Sequence, residues 1–122
     1  MAHEIIMLGT GNAFLPNGRS HSFAIFDNKH IIDAPPTALL CLRENGIKVD
    51  DIETIFITHL HGDHIFGLPF LLLERTYISD REFQQPLTIV AAPGARERIE
   101  QLCEIAYPGS LENILSKITW NE

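Results

Sequence analysis

Cationic side chains are scarce in this chain. Nine Lys and Arg stand against sixteen Asp and Glu, a formal net charge of −7, which excludes a broad basic surface of the kind that tracks a phosphate backbone. Chemistry on a phosphate needs only local positive charge, so the shortage counts against nucleic-acid binding by this chain alone. Cysteine is nearly absent too. Cys41 and Cys103 lie in apolar helical patterns without a CxxC spacing, which excludes a disulfide framework and a cysteine metal site and leaves buried, reduced thiols. No apolar run reaches the roughly 18 residues of a membrane span. The opening Met1-Ala2-His3-Glu4 carries an acid early and its apolar run is short, so it leads into a first strand and does not read as a signal peptide. No membrane partner and a cytoplasmic location are therefore expected. After Gly9-Thr10-Gly11 the third glycine and the immediate helix of a dinucleotide fingerprint are missing. Internal repeats, low-complexity stretches and linkers are also lacking, and 122 residues at 45% hydrophobic content hold one domain at most.

What is present is concentrated in Thr58-His59-Leu60-His61-Gly62-Asp63-His64, where three imidazoles and a carboxylate fall within six consecutive positions. The preceding Thr54-Ile55-Phe56-Ile57 is β-branched and aromatic and reads as a buried strand that delivers His59 into a loop. If the chain stays extended through Leu60, His59 and His61 fall on one side, because side chains alternate with a period of two; one metal ion then touches both. Gly62 permits a sharp turn that brings Asp63 and His64 back from a new direction, placed for a second ion. Surface loop histidines are the bland alternative, and they suit a lone pair two apart better than three His and an Asp directly after a buried strand.

The run His59-x-His61-x-Asp63-His64 resembles the signature of the metallo-β-lactamase-fold hydrolases. Its flanks, Leu8-Gly9-Thr10-Gly11-Asn12-Ala13 and His64-Ile65-Phe66-Gly67-Leu68-Pro69, resemble the branch that contains ribonuclease Z and related phosphodiesterases. By motif order the likeness spans about residue 5 to about residue 94. It implies an α/β fold, the N-terminal half of an αββα sandwich with a mixed sheet and flanking helices, residues 1–122 forming a single partial domain. It also implies a site of two Zn²⁺ ions, with Mn²⁺ or Fe²⁺ as alternatives, held by His59, His61, Asp63 and His64. In that family Asp63's counterpart also orients the attacking hydroxide, a catalytic role, and an Asp in the place of Asp33 supports the metal loop from behind the ligands. The implied substrate is of phosphodiester type, with nucleic acid reached only through the complete protein. The branch usually has glycine soon after this Asp, whereas Ala34-Pro35-Pro36 follows here. That departure weighs against transfer-RNA end processing, not against metal-dependent hydrolysis.

Along the chain, Ile5-Ile6-Met7-Leu8 reads as a buried strand ending in glycines that allow close backbone approach. Turn chemistry at Pro16 to Gly18 follows, and Arg19 and His21 read better as a solvated loop than as a pocket lining. Ser22 to Phe26 and Lys29 to Asp33 are two antiparallel strands joined at Asp27-Asn28. A helix from Thr37 to Glu44, capped by Asn45-Gly46, leads to the motif strand by a crossover that suits a right-handed connection. A helix starting near Leu68 is apolar nearly all round, and Glu74-Arg75 marks its polar exit. Leu87 to Ala91 is a strand, Ala95 to Ala106 an amphipathic helix, and Ile114 to Trp120 one more strand.

A catalytic zinc takes three protein ligands and a water, while the four candidate ligands supply two to each ion. Nothing downstream adds a histidine, since His64 is the last one. Half a sandwich also leaves one sheet face bare, and an apolar patch of that size marks an interface. The leading reading is thus a metal-dependent hydrolase, a phosphodiesterase whose site is completed by residues outside this chain. The alternatives are a ribonuclease Z-like tRNA 3′ endonuclease, and a non-catalytic binding or assembly module that retains half the fold. A homo-oligomer that borrows His3, His21 or His30 from a second copy ranks below these.

Overall fold

The computed structural model describes residues 2–122. Six strands form one sheet in chain order: β1 (Ile5–Gly9), β2 (Phe23–Phe26), β3 (His30–Ile32), β4 (Thr54–Phe56), β5 (Thr88–Val90) and β6 (Thr119–Asn121). β2 runs antiparallel to both of its neighbours, β1 and β3. From β3 onward each neighbour is parallel, so each connection must cross the sheet, and each does so through helix. The helices are α1 (Ala38–Glu44), α2 (Gly62–Ile65), α3 (Leu68–Glu74), α4 (Ala95–Ala106) and α5 (Glu112–Lys117). This is the mixed sheet with flanking helices expected from the sequence. The hairpin between β2 and β3 turns at Asp27 and Asn28, both at positive φ (52° and 55°), a conformation that Asp and Asn tolerate better than most residues.

Register explains which residues are buried. Ile25, Ile31, Ile55 and Ile89 stand in line across four strands, at 2% exposure or less, and share one core with Leu42, Leu68, Leu72 and Ile99 from the helices. The alternate positions Met7, Ala24, Ile32, Phe56 and Val90 line up on the opposite face. None of them joins that core, and Met7 and Ile32 are 59% and 38% exposed. The helices therefore cover one side of the sheet, and the other side is bare, as a half-sandwich requires. Among the described residues no helix is long and apolar enough to cross a membrane.

Four expectations need correction. β1 is not buried: it is the edge strand, Ile5 and Met7 point away from the helices, and only Ile6 and Leu8 pack against the core. Gly62 opens a one-turn helix, α2, instead of a simple turn. Glu74 and Arg75 are not a polar exit, being 6% and 2% exposed. Their charge is absorbed by hydrogen bonds, because the chain continues past α3 as a π-helical turn, Arg75–Ser79. The tail is mostly helical: α5 occupies Glu112–Lys117, and only Thr119–Asn121 adds a strand.

Candidate metal centre

The parallel strands β3 and β4 end side by side, and the residues just beyond them meet. Asp33 directly follows β3 with its backbone N–H donating to the Phe56 carbonyl (2.6 Å). It is 4% exposed and sits at φ 66°. Its carboxylate accepts three donors. Oδ1 takes the Thr58 backbone N–H at 2.8 Å, the Thr58 hydroxyl lies 2.9 and 2.8 Å from the two oxygens, and Oδ2 lies 2.6 Å from His64 Nδ1. Buried carboxylates are stable where such donors replace water.

The loop after Asp33 is also tied to α2. Ala34 N–H donates to the His64 carbonyl and Gly67 N–H to the Ala34 carbonyl, both at 2.8 Å. Gly67 must be glycine here, since any Cβ would collide with the backbone carbonyl of Pro35. The same close approach operates at Gly9, where a Cβ would meet the His21 carbonyl. His64 is thus held through both its backbone and its ring.

The other imidazoles gather beside it. The His59 ring centre lies 3.8 Å from that of His64 and 4.7 Å from that of His61. Asp63 reaches back so that its carboxylate is 3.2 Å from His64 Nε2. The four residues of the motif thus lie next to one another. They do not form a closed cage: among the described residues, no three His, Cys, Asp or Glu side chains converge tightly enough to hold an ion. Imidazole nitrogens with a carboxylate are nonetheless the donor set of a zinc-type cation. With Nδ1 of His64 engaged by Asp33, Nε2 is the nitrogen on the side of Asp63, the arrangement in which a carboxylate behind a histidine orients it for a metal.

The remaining candidates lie elsewhere. His3 pairs with Asp27 at 2.8 Å. His30 meets Thr54 at 3.0 Å, at the amino ends of β3 and β4 and so at the far end of the sheet from His59. Neither joins the cluster. Arg19 is exposed, as a loop residue should be. His21 is not: it is 8% exposed, and its Nδ1 has no partner among the described residues, because the glycine loop packs directly on its backbone. Two concavities, of about 170 and 410 Å³, are lined by no histidine, so neither coincides with the cluster. The residue that the sequence reading missed is Thr58. Its signal was its place immediately before the motif, at the end of a strand.

Comparison with known proteins agrees with this picture. A family model described as anti-Pycsar protein Apyc1 matches residues 3–104. Ribonuclease Z of Listeria monocytogenes serotype 4a is 34% identical over 125 residues, covering 98% of this chain and 39% of that protein. Anti-Pycsar protein Apyc1 of Paenibacillus sp. (strain J14) is 34% identical over 113 residues, covering 91% of this chain and 43% of that protein. Among solved structures, the short form of human tRNase Z superposes with a TM-score of 0.71 at 27% identity, over 98% of this chain and 44% of that one. The chain thus spans about two fifths of the length of these curated relatives.

Proposed function

From the premise that this chain belongs to the anti-Pycsar protein Apyc1 family, within the metallo-β-lactamase-fold superfamily that ribonuclease Z shares, we propose that it is the metal-binding half of a phosphodiester hydrolase. The observation that carries this reading is the gathering of His59, His61 and His64 at the carboxyl end of β4, with His64 clamped from behind by Asp33. His59 and His61 bind one ion and Asp63 and His64 a second. Their third ligands come from a second sheet that lies outside these 122 residues and covers the bare face. The ions, of zinc type, supply an activated water and charge stabilisation at the phosphoryl oxygens. Asp63, whose carboxylate lies 3.2 Å from His64 Nε2, would also orient the attacking hydroxide. Asp33 keeps His64 from rotating.

The finer substrate reading, RNA, is supported by relatives that bear the name ribonuclease Z. The net charge of −7 works against it, so any RNA contact depends on a basic arm elsewhere. A non-catalytic module is the second reading, favoured by the incomplete ligand set. The two part on experiment. In a form that carries the second sheet, His59→Ala or His64→Ala abolishes zinc-dependent turnover of a chromogenic phosphodiester, while an Ala substitution at His3 leaves it within about twofold; unchanged turnover in the first two variants sinks the assignment. A chain that takes up no zinc, with or without that sheet, favours the module.

A further inference from the structure

Asp33 explains the orientation of His64, but nothing so far explains how His59 is oriented, although the two rings lie 3.8 Å apart at their centres. The contact that addresses it runs through Thr58. The Thr58 hydroxyl lies 2.9 and 2.8 Å from the two Asp33 carboxylate oxygens and 3.1 Å from His59 Nδ1. It is 3.5 Å from His64 Nδ1, whose shorter contact is to Asp33 at 2.6 Å. A hydroxyl has one hydrogen and two lone pairs, and a carboxylate in this setting only accepts. If the hydroxyl hydrogen pointed at His59, the oxygen would face two carboxylate oxygens at 2.8 to 2.9 Å with no hydrogen between them. That arrangement is repulsive, so the hydrogen goes to Asp33. The hydroxyl then has only lone pairs left for His59, and Nδ1 of His59 must carry the proton.

We infer that Thr58 is a positioning residue that passes the orienting effect of one buried carboxylate to a second imidazole: Asp33 holds His64 directly and His59 through the Thr58 hydroxyl. His59 then presents an unprotonated Nε2. This is the lone pair that a zinc-type cation needs, and the Nε2–H tautomer that a free imidazole otherwise favours would block it. The backbone supports the relay as well, because Thr58 N–H also donates to Asp33 at 2.8 Å; the side chain is thereby anchored at both ends of the residue. Threonine's methyl is not required by this argument. The hydroxyl is, and serine retains it. The inference deepens the proposed metal site and rests on it for its consequence, but the proton positions stand on the geometry alone.

The test separates the two. In the metal-free 122-residue chain, at a pH where the imidazoles are neutral, long-range ¹H–¹⁵N spectra report the tautomer of each histidine. The expected result is the Nδ1–H tautomer at His59. In Thr58→Val, His59 shifts toward Nε2–H while the His64 signals stay as they were, and Thr58→Ser restores the original pattern. Zinc affinity, read by competition with a chromophoric chelator, falls about tenfold or more in the valine variant, the usual cost of losing a group behind a metal ligand, and recovers in the serine variant. His59 found as Nε2–H in the unsubstituted chain overturns the inference, whatever the variants do. So does an unchanged His59 tautomer in Thr58→Val. If no form binds zinc, the metal reading fails, and the tautomers still decide the role of Thr58.

Discussion

Asp33 shows how much a single buried carboxylate organises. It occupies the left-handed region of backbone space at φ 66°, where a residue other than glycine carries roughly 1 to 3 kcal/mol of strain. Its hydrogen bonds to Thr58 and His64 offset that strain and fix the His64 ring. Asp tolerates this conformation better than most side chains, so backbone and carboxylate demand the same residue. The opposite case is Cys103. Burial, assisted by the nearby Glu100 carboxylate, pushes its thiol up to about 12. The thiolate is the reactive species, and at neutral pH almost none is present. Cys103 should therefore resist iodoacetamide in the native chain and alkylate within minutes of denaturation. Native labelling at the rate of a free thiol, followed by mass spectrometry, would contradict its burial.

At the scale of elements, the segment after α3 repays attention. An apolar helix that ends in Glu74-Arg75 looks like a helix surfacing into water, yet both residues turn inward. Arg43 Nη2 reaches Glu74 at 2.5 Å and Ser79 also hydrogen-bonds it. Arg75 Nη1 donates to the carbonyls of Val49 and Ile52 at 3.0 and 2.8 Å, and Nη2 donates to that of Gln85 at 3.0 Å. One guanidinium thereby ties the approach to β4 to the approach to β5. Desolvation pulls its pKa below the usual arginine value; the carbonyls take the place of the lost water. Arg75→Met removes the donor that the Ile52 carbonyl holds and one of the two that the Val49 carbonyl holds, and urea unfolding should show a loss of about 1 to 3 kcal/mol. Arg75→Lys recovers less than half, since an ammonium lacks the planar fork that reaches both segments. A loss below about 0.5 kcal/mol in the methionine variant, the range of ordinary surface substitutions, contradicts the tie.

For the whole molecule, the asymmetry of the sheet is the governing feature. One face is packed at zero to 2% exposure, while the other presents Met7, Ile32 and Phe56 with no helix over them. Exposed apolar surface of this kind seeks a cover. In the form proposed above a second sheet would provide it, and in the isolated chain copies should cover each other. Sedimentation velocity should therefore find the chain self-associated at micromolar concentration. Met7→Lys with Ile32→Lys should return it to a monomer and leave the melting temperature nearly unchanged, because neither residue contributes to the core. A monomer before substitution removes the basis for that expectation.

How much of this was legible in the sequence follows from range. The strand before His59, the Asp27-Asn28 turn, the helix Ala95–Ala106 and the clustering of His59, His61, Asp63 and His64 are written in neighbouring residues: alternation, turn chemistry, 3.6-residue periodicity and motif spacing each act over a few positions. The resemblance carried by the same residues supplied the fold and the place of Asp33. What tertiary structure alone decided depends on partners distant in the chain. The inward turn of Glu74 and Arg75 needs Arg43 and the carbonyls of Val49, Ile52 and Gln85. The exposure of β1 follows from its place at the sheet edge, which a strand's own hydrophobicity does not reveal. The link from Asp33 to Thr58, and through it to the adjacent His59, bridges a sequence separation of 25. It exists because β3 and β4 lie parallel and end together, so a carboxylate and a hydroxyl remote in the chain share one hydrogen.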